Sequence, residues 1–211
     1  FYGSKRVGIY RGNNQIETAN GEIIQADDAT MIIPANVGER VVYKAAEIIG
    51  KGLPDWMGGF ANAFHYKGFD LSIDLQFSLG GDVMQEFFHT TEARFLTNLL
   101  EKGMSQDVRL NNFGQGANNE ADDTWVANGS YLRVNLISLG YTFSPKSLTK
   151  ANLSALRLYA NVNNAFLFTA ADYLGYDPGA SSHVDSNWGT NRQFFVYPTP
   201  RTITLGLNIT F

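Results

Sequence analysis

Polar and apolar residues alternate with almost no interruption in two stretches of this chain. Ile203, Leu205, Leu207, Ile209 and Phe211 interleave with Thr202, Thr204, Gly206, Asn208 and Thr210. Phe69, Leu71, Ile73, Leu75, Phe77 and Leu79 interleave in the same way with Asp70, Ser72, Asp74, Gln76 and Ser78. A period of two gives each strand one greasy and one wet face. The length of each stretch suits a tilted membrane-crossing strand, roughly 9–11 residues. Gly58 to Tyr66, rich in Phe and Ala, predicts a strand joined to the Phe69 strand by a Lys67-Gly68 hairpin turn. Leu156, Leu158, Ala160 and Val162 alternate with Arg157, Tyr159, Asn161 and Asn163. In Tyr131 to Thr142, Leu132 and Val134 are out of phase with Ile137, Leu139 and Tyr141, which predicts a bulge near Asn135–Leu136. Residues 1 to 10 hold a weaker strand, bringing the expected number to about six.

The connections divide into two kinds. Residues 67–68 and 143–153 are short, whereas 11–57, 80–129 and 167–200 are long and rich in Gly, Asn, Asp and Ser. Structureless loops of that length are unusual inside a compact soluble domain. An outer-membrane β-barrel has short periplasmic turns and long extracellular loops, strictly alternating. Counting back from a periplasmic Phe211 places all three long connections outside. Six strands do not close a barrel, and an open edge in lipid leaves unpaired N–H and C=O groups at several kcal/mol each. The last strand is therefore expected to pair with a first strand outside this sequence. The absence of an initiator Met, with Phe1-Tyr2-Gly3 reading as the interior of a strand, points the same way, to a piece of a longer protein.

Composition changes this picture little. A net charge of −4 gives no electrostatic reason to expect nucleic acid, and without cysteine there is neither a disulfide scaffold nor a thiolate metal site. No apolar run approaches the ~18 residues of a membrane helix, but average hydropathy does not detect a barrel. Aromatics at 13% fit interfacial girdles.

Several segments together resemble one family, the SusC/RagA-type TonB-dependent transporters of Bacteroidetes outer membranes. Pro54-Asp55-Trp56-Met57-Gly58-Gly59 followed by Tyr66-Lys67-Gly68-Phe69-Asp70-Leu71 is similar to its Pro-x-Trp-x-Gly-Gly hairpin. Gly129-Ser130-Tyr131-Leu132-Arg133 through Ile137-Ser138-Leu139-Gly140-Tyr141-Thr142-Phe143 resembles a second family strand, from which Asn135 and Leu136 depart. Asn161 to Phe166, Gly175-Tyr176-Asp177-Pro178, and Tyr197-Pro198 with Arg201-Thr202 continue the order over roughly residues 50–211. Many members carry an Asp-x-Asn-Gly-Asp-Gly segment before the Pro-x-Trp motif. Residues 20–50 lack that spacing, so no calcium site is carried over.

The resemblance implies an all-β fold: about six antiparallel strands at the C-terminal end of a transmembrane barrel of about 22 strands, its plug outside this chain. It implies TonB-dependent import of a bulky nutrient, a glycan or a peptide. It also implies a SusD/RagB-like lipoprotein lid, coupling to the TonB complex through a missing N-terminal part, and a lipid or lipopolysaccharide surround. No cofactor, metal or catalytic residue is expected. His65, His89 and His183 share no ligand spacing. Asp70 and Asp74 read as polar residues of the lumen rather than paired catalytic carboxylates.

Phe87, Phe88, Trp125, Tyr173, Tyr176, Trp188, Phe194, Phe195 and Tyr197 fall at or beyond the outer rim, where rings stack on sugars, fill peptide pockets, pack loops or anchor in the interface. They are the candidates for substrate or partner contact. Phe211 is the candidate barrel-assembly signal. Alternative readings are a soluble all-β carbohydrate-binding module, a passive porin and an outer-membrane enzyme.

Overall fold

The computed structural model describes residues 1–35, 37–85, 122–144, 148, 153–180, 182, 191–194 and 196–211. The chain divides into two compact units, one of Phe1–Leu53, Gly81–Asn128 and Ser181–Val196, the other of Pro54–Gly80, Gly129–Ala180 and Tyr197–Phe211.

The second unit is a single antiparallel sheet of five long strands: β6 (Trp56–Tyr66), β7 (Phe69–Leu79), β10 (Tyr131–Thr142), β11 (Ala155–Thr169) and β12 (Thr202–Thr210). Their order is β12-β11-β10-β7-β6, so each strand lies beside its neighbour in sequence. Lys67 and Gly68 both have positive φ, 46° and 89°, the backbone of a primed hairpin turn. The expected bulge is present: Val134 pairs with Leu75 and Leu136 with Asp74, leaving Asn135 as the extra residue on β10. Opposite it, β11 bulges too, with Asn164 at a φ of 50°.

The first unit departs from the expectation for residues 1–57. Residues 1 to 10 are a strand, β1 (Tyr2–Gly12), but it belongs to a separate sheet, so five strands rather than six form the wall sheet. The connection 11–57 is itself folded. It holds β2 (Gln15–Thr18), β3 (Ile23–Gln25), β4 (Met31–Ile32) and β5 (Arg40–Ile48), arranged as β3-β2-β1-β5-β4. Asn13 and Asn14, both at positive φ, turn β1 into β2. Ile16 and Val41 are fully buried and pack with Met31, Val7, Tyr10 and Ile24. A short pair, β8 (Asp82–Met84) with β9 (Val126–Asn128), follows in the same unit. There Arg40 meets Asp122 at 3.2 Å and stacks 4.5 Å from the Trp125 ring, while Asp123 accepts the Arg6 N–H at 2.8 Å.

Candidate functional site: the two faces and the rim of the wall

Pairing across the five strands turns each sequence alternation into rows. Ile73, Ile137, Val162 and Ile203 form one; Phe64, Leu71, Leu139, Ala160 and Leu205 the next; Tyr66, Phe69, Tyr141, Leu158 and Leu207 a third. Asn62, at the free edge of β6, is the polar exception in the first row. Among the described residues no second layer covers these side chains: Leu205 is 79% exposed, and Phe64, Phe69, Leu139 and Leu158 are also exposed. A contiguous apolar face of this size is a surface for lipid or a partner, because burying it is favourable. Phe69 to Leu79 covers about 33 Å along the strand. At a tilt of ~40° that is about 25 Å, the height of a barrel's apolar band. Aromatics mark both ends. Tyr141 lies 4.5 Å from Phe69 and 4.8 Å from Phe143 at one, and Phe166 stacks 6.4 Å from Phe168 at the other.

The opposite face is polar and internally bonded. Ser72, Ser138, Asn161 and Thr204 form a row in which Ser138 donates to Asn161 at 2.6 Å. One row nearer the hairpin, Asp70 accepts from Arg157 at 2.5 and 3.3 Å across the intervening strand. Gly140 makes this possible, since a Cβ there would stand 2.5 Å from the Asp70 carboxylate and 2.7 Å from Arg157. Gly206 has a similar role, because a Cβ there would stand 1.9 Å from the Tyr159 Cζ, which leaves no room for a side chain. Asp70 is thus a structural partner of Arg157, and Asp74 sits two rows away on the same face, beyond Ser72.

All the long connections leave the sheet at one end. Leu79 ends β7 opposite Trp56, Tyr131 begins β10 opposite Ser78, and Thr169 ends β11 opposite Tyr131. The hairpin 67–68 and the 143–154 link lie at the other end. At the long-connection end, a cavity of about 160 Å³ opens where β11 runs on past its last β12 partner, Asn163. Asp177 is buried at its base, bonded to Arg133, to the Gly179 N–H at 2.9 Å and to the Thr199 hydroxyl at 3.2 Å. Tyr176 and Arg201 also line it.

No family model matches the chain. Among curated proteins it is 30% identical, over its whole length, to the TonB-dependent receptor P3 of Formosa agariphila, covering 22% of that protein. It is 31% identical over 82% of its length to the TonB-dependent receptor SusC of Bacteroides thetaiotaomicron, covering 16%. The solved structure of the RagAB peptide importer in its closed-closed state superposes over the full chain at a TM-score of 0.61 and 19% identity, covering 23% of that chain. The chain belongs to the SusC/RagA-type TonB-dependent receptors. It spans about a fifth of the length of the relatives it matches.

As part of a TonB-dependent receptor, the five-stranded sheet is a segment of an outer-membrane β-barrel wall, which sets aside the soluble carbohydrate-binding module. The apolar rows face lipid and the Asp70–Arg157 rows face the lumen. The rim aromatics separate into three groups. Tyr176, Phe194 and Tyr197 are exposed, Tyr197 at 92%. Trp125 and Tyr173 are buried and do not present a ring to a ligand: Trp125 stacks under Arg40, and the Tyr173 N–H closes a turn onto the Ala170 carbonyl. Phe87, Phe88, Trp188 and Phe195 lie outside the described residues. Phe211 is exposed on the lipid-facing stripe of β12.

Sequence reasoning did not find the Arg133–Asp177 bond. Its partners lie 44 residues apart, and the nearest signal was the Gly175-Tyr176-Asp177-Pro178 motif.

Proposed function

We propose that this chain supplies wall and outer loops to a TonB-driven importer of a bulky nutrient, an oligosaccharide or a peptide. The observation that carries this reading is the two-faced five-stranded sheet with every long connection leaving one end. In a barrel that end faces outward and the 67–68 hairpin faces the periplasm. The remaining length of the relatives leaves space for the other strands, a plug within a wall of about 22 strands, and the segment that TonB engages. A SusD/RagB-like lipoprotein is the proposed lid over the outer rim. The RagAB structure, described as a peptide importer, supports a peptide cargo, and the likeness to SusC supports the TonB dependence. Capture needs no bond making or breaking. Exposed rings such as Tyr176 and Tyr197 offer stacking surfaces for sugars or apolar peptide side chains.

Growth of the native host on single glycans and on peptide mixtures tests the reading. Deleting the receptor gene and deleting tonB are expected to abolish the same uptake. Uptake that survives loss of TonB would establish a passive porin instead. Co-purification of a lipoprotein with the full-length receptor tests the lid, and a receptor that purifies alone from the membrane overturns it.

A further inference from the structure

The wall sheet contains two arginines and a third, Arg201, directly precedes β12; their surroundings differ. Arg133 and Arg157 lie on the lumen-facing side, and each meets a carboxylate, Asp177 and Asp70 respectively. Arg201, one residue before β12, continues the stripe of Phe211, Ile209, Leu207, Leu205 and Ile203 by one position and also lines the rim cavity above Asp177. It is exposed, and among the described residues its guanidinium meets no carboxylate.

It is nevertheless held in place. The guanidinium carbon lies 5.6 Å from the centre of the Phe166 ring, itself in the lipid-facing row of Leu75 and Val134. The Arg201 Nε–H donates to the Asn164 carbonyl at 3.4 Å, and the Asn164 side chain donates back to the Pro200 carbonyl at 3.0 Å. From Phe211 to Arg201 the strand covers about 33 Å, or about 25 Å across the bilayer at a ~40° tilt. The apolar stripe therefore ends in a cation at the depth of the headgroups. A guanidinium fork matches phosphate oxygens in pairs, and an aromatic shelf beside it favours a cation at the interface.

We propose that Arg201, backed by Phe166, binds the phosphate of an outer-leaflet lipid, the phosphorylated glucosamine of lipid A, at the outer rim of the wall. The assignment rests on the outward orientation proposed above. The source is a membrane lipid rather than a free anion, because the site lies on the lipid-facing side at the end of an apolar stripe.

Native mass spectrometry of the detergent-purified full-length receptor, titrated with lipid A and with its dephosphorylated form, tests the site. R201Q is expected to lower retention of lipid A about fivefold, the effect of one surface cation, and to leave retention of the dephosphorylated form unchanged. R201K, which keeps the charge but loses the fork, should recover only part of the binding. Phe166→Leu should lower it by a smaller factor, through loss of the ring. Equal retention by wild type and R201Q would overturn the proposal, as would displacement of lipid A by inorganic phosphate. Heat-modifiability separates the two levels of failure. A wild-type receptor without a heat-modifiable folded band would overturn the wall and the site together. A normal band with equal retention overturns the site alone.

Discussion

The two units of this chain use similar strands in opposite ways. In the first, Ile16 and Val41 are fully buried and packed against Met31, Tyr10 and Ile24. In the second, Leu205 and Phe64 are exposed in rows, and the bonded groups are the polar ones on the other face. One unit carries its own core, while the other relies on a lipid surround for its apolar face. Similar strands thus sit in opposite surroundings, and among the described residues what distinguishes them is whether a layer covers their apolar side chains.

The sharpest way to break this contrast is a buried charge in the first unit. Val41→Asp should destabilise it by about 4 kcal/mol or more, read as new protease cleavage within residues 1–50 while the barrel keeps its heat-modifiable band. A loss of both together would show that the units fold as one. Next in size, Leu205→Arg or Ile73→Arg should cost the barrel about 2–4 kcal/mol near the bilayer midplane. Thr204→Arg and Ser72→Arg, on the wet face, should cost distinctly less in the same denaturant titration. Equal costs on both faces would reverse or abolish the assigned orientation.

Smaller again is Gly140→Val, which pushes a side chain between Asp70 and Arg157. Overpacking of this kind costs about 1–3 kcal/mol, and the same substitution in a D70N/R157Q background should cost less. The smallest effect belongs to an exposed turn of the first unit. Asp27 accepts from the Thr30 hydroxyl at 2.8 Å and the Ala29 N–H at 3.0 Å, which hold its carboxyl below the usual 3.8. A depressed folded value means that the turn is stabilised above the unfolded carboxylate range, and that this is lost as pH falls through the folded value. Protection of the Ala29 amide from hydrogen exchange should therefore drop at pH below about 3.8 and be absent at every pH in Asp27→Ala, which has no side-chain acceptor.

Most of the wall was legible in the sequence because nothing there disturbs the period of two. β7 and β12 alternate from end to end, and the break in β10, at Asn135, is itself readable from the phase change between Val134 and Ile137, whereas the matching bulge in β11 at Asn164 is not. The first unit was not legible for a physical reason. Val41 and Val42 are adjacent and both buried, because β1 and β5 shift register between Ser4 and Gly8. Two neighbouring buried residues erase the alternation that signals a strand. β2, β3 and β4 are only four, three and two residues long, too short to show a period. At the rim, the exposed Tyr176 and the buried Trp125 look alike in sequence, since what covers Trp125 is Arg40, far away along the chain.

The extra residue at Asn135 has a consequence beyond local geometry. Along β10 it acts as a frame corrector: upstream of it the outward positions are even-numbered, downstream they are odd. Deleting that one amino acid would leave every other letter of the strand unchanged, yet would turn Arg133 toward the hydrocarbon and Val134 toward the channel. The polarity of the outer third of this strand is thus set by one inserted residue, whose own side chain donates to Gln76 on the polar face at 3.3 Å.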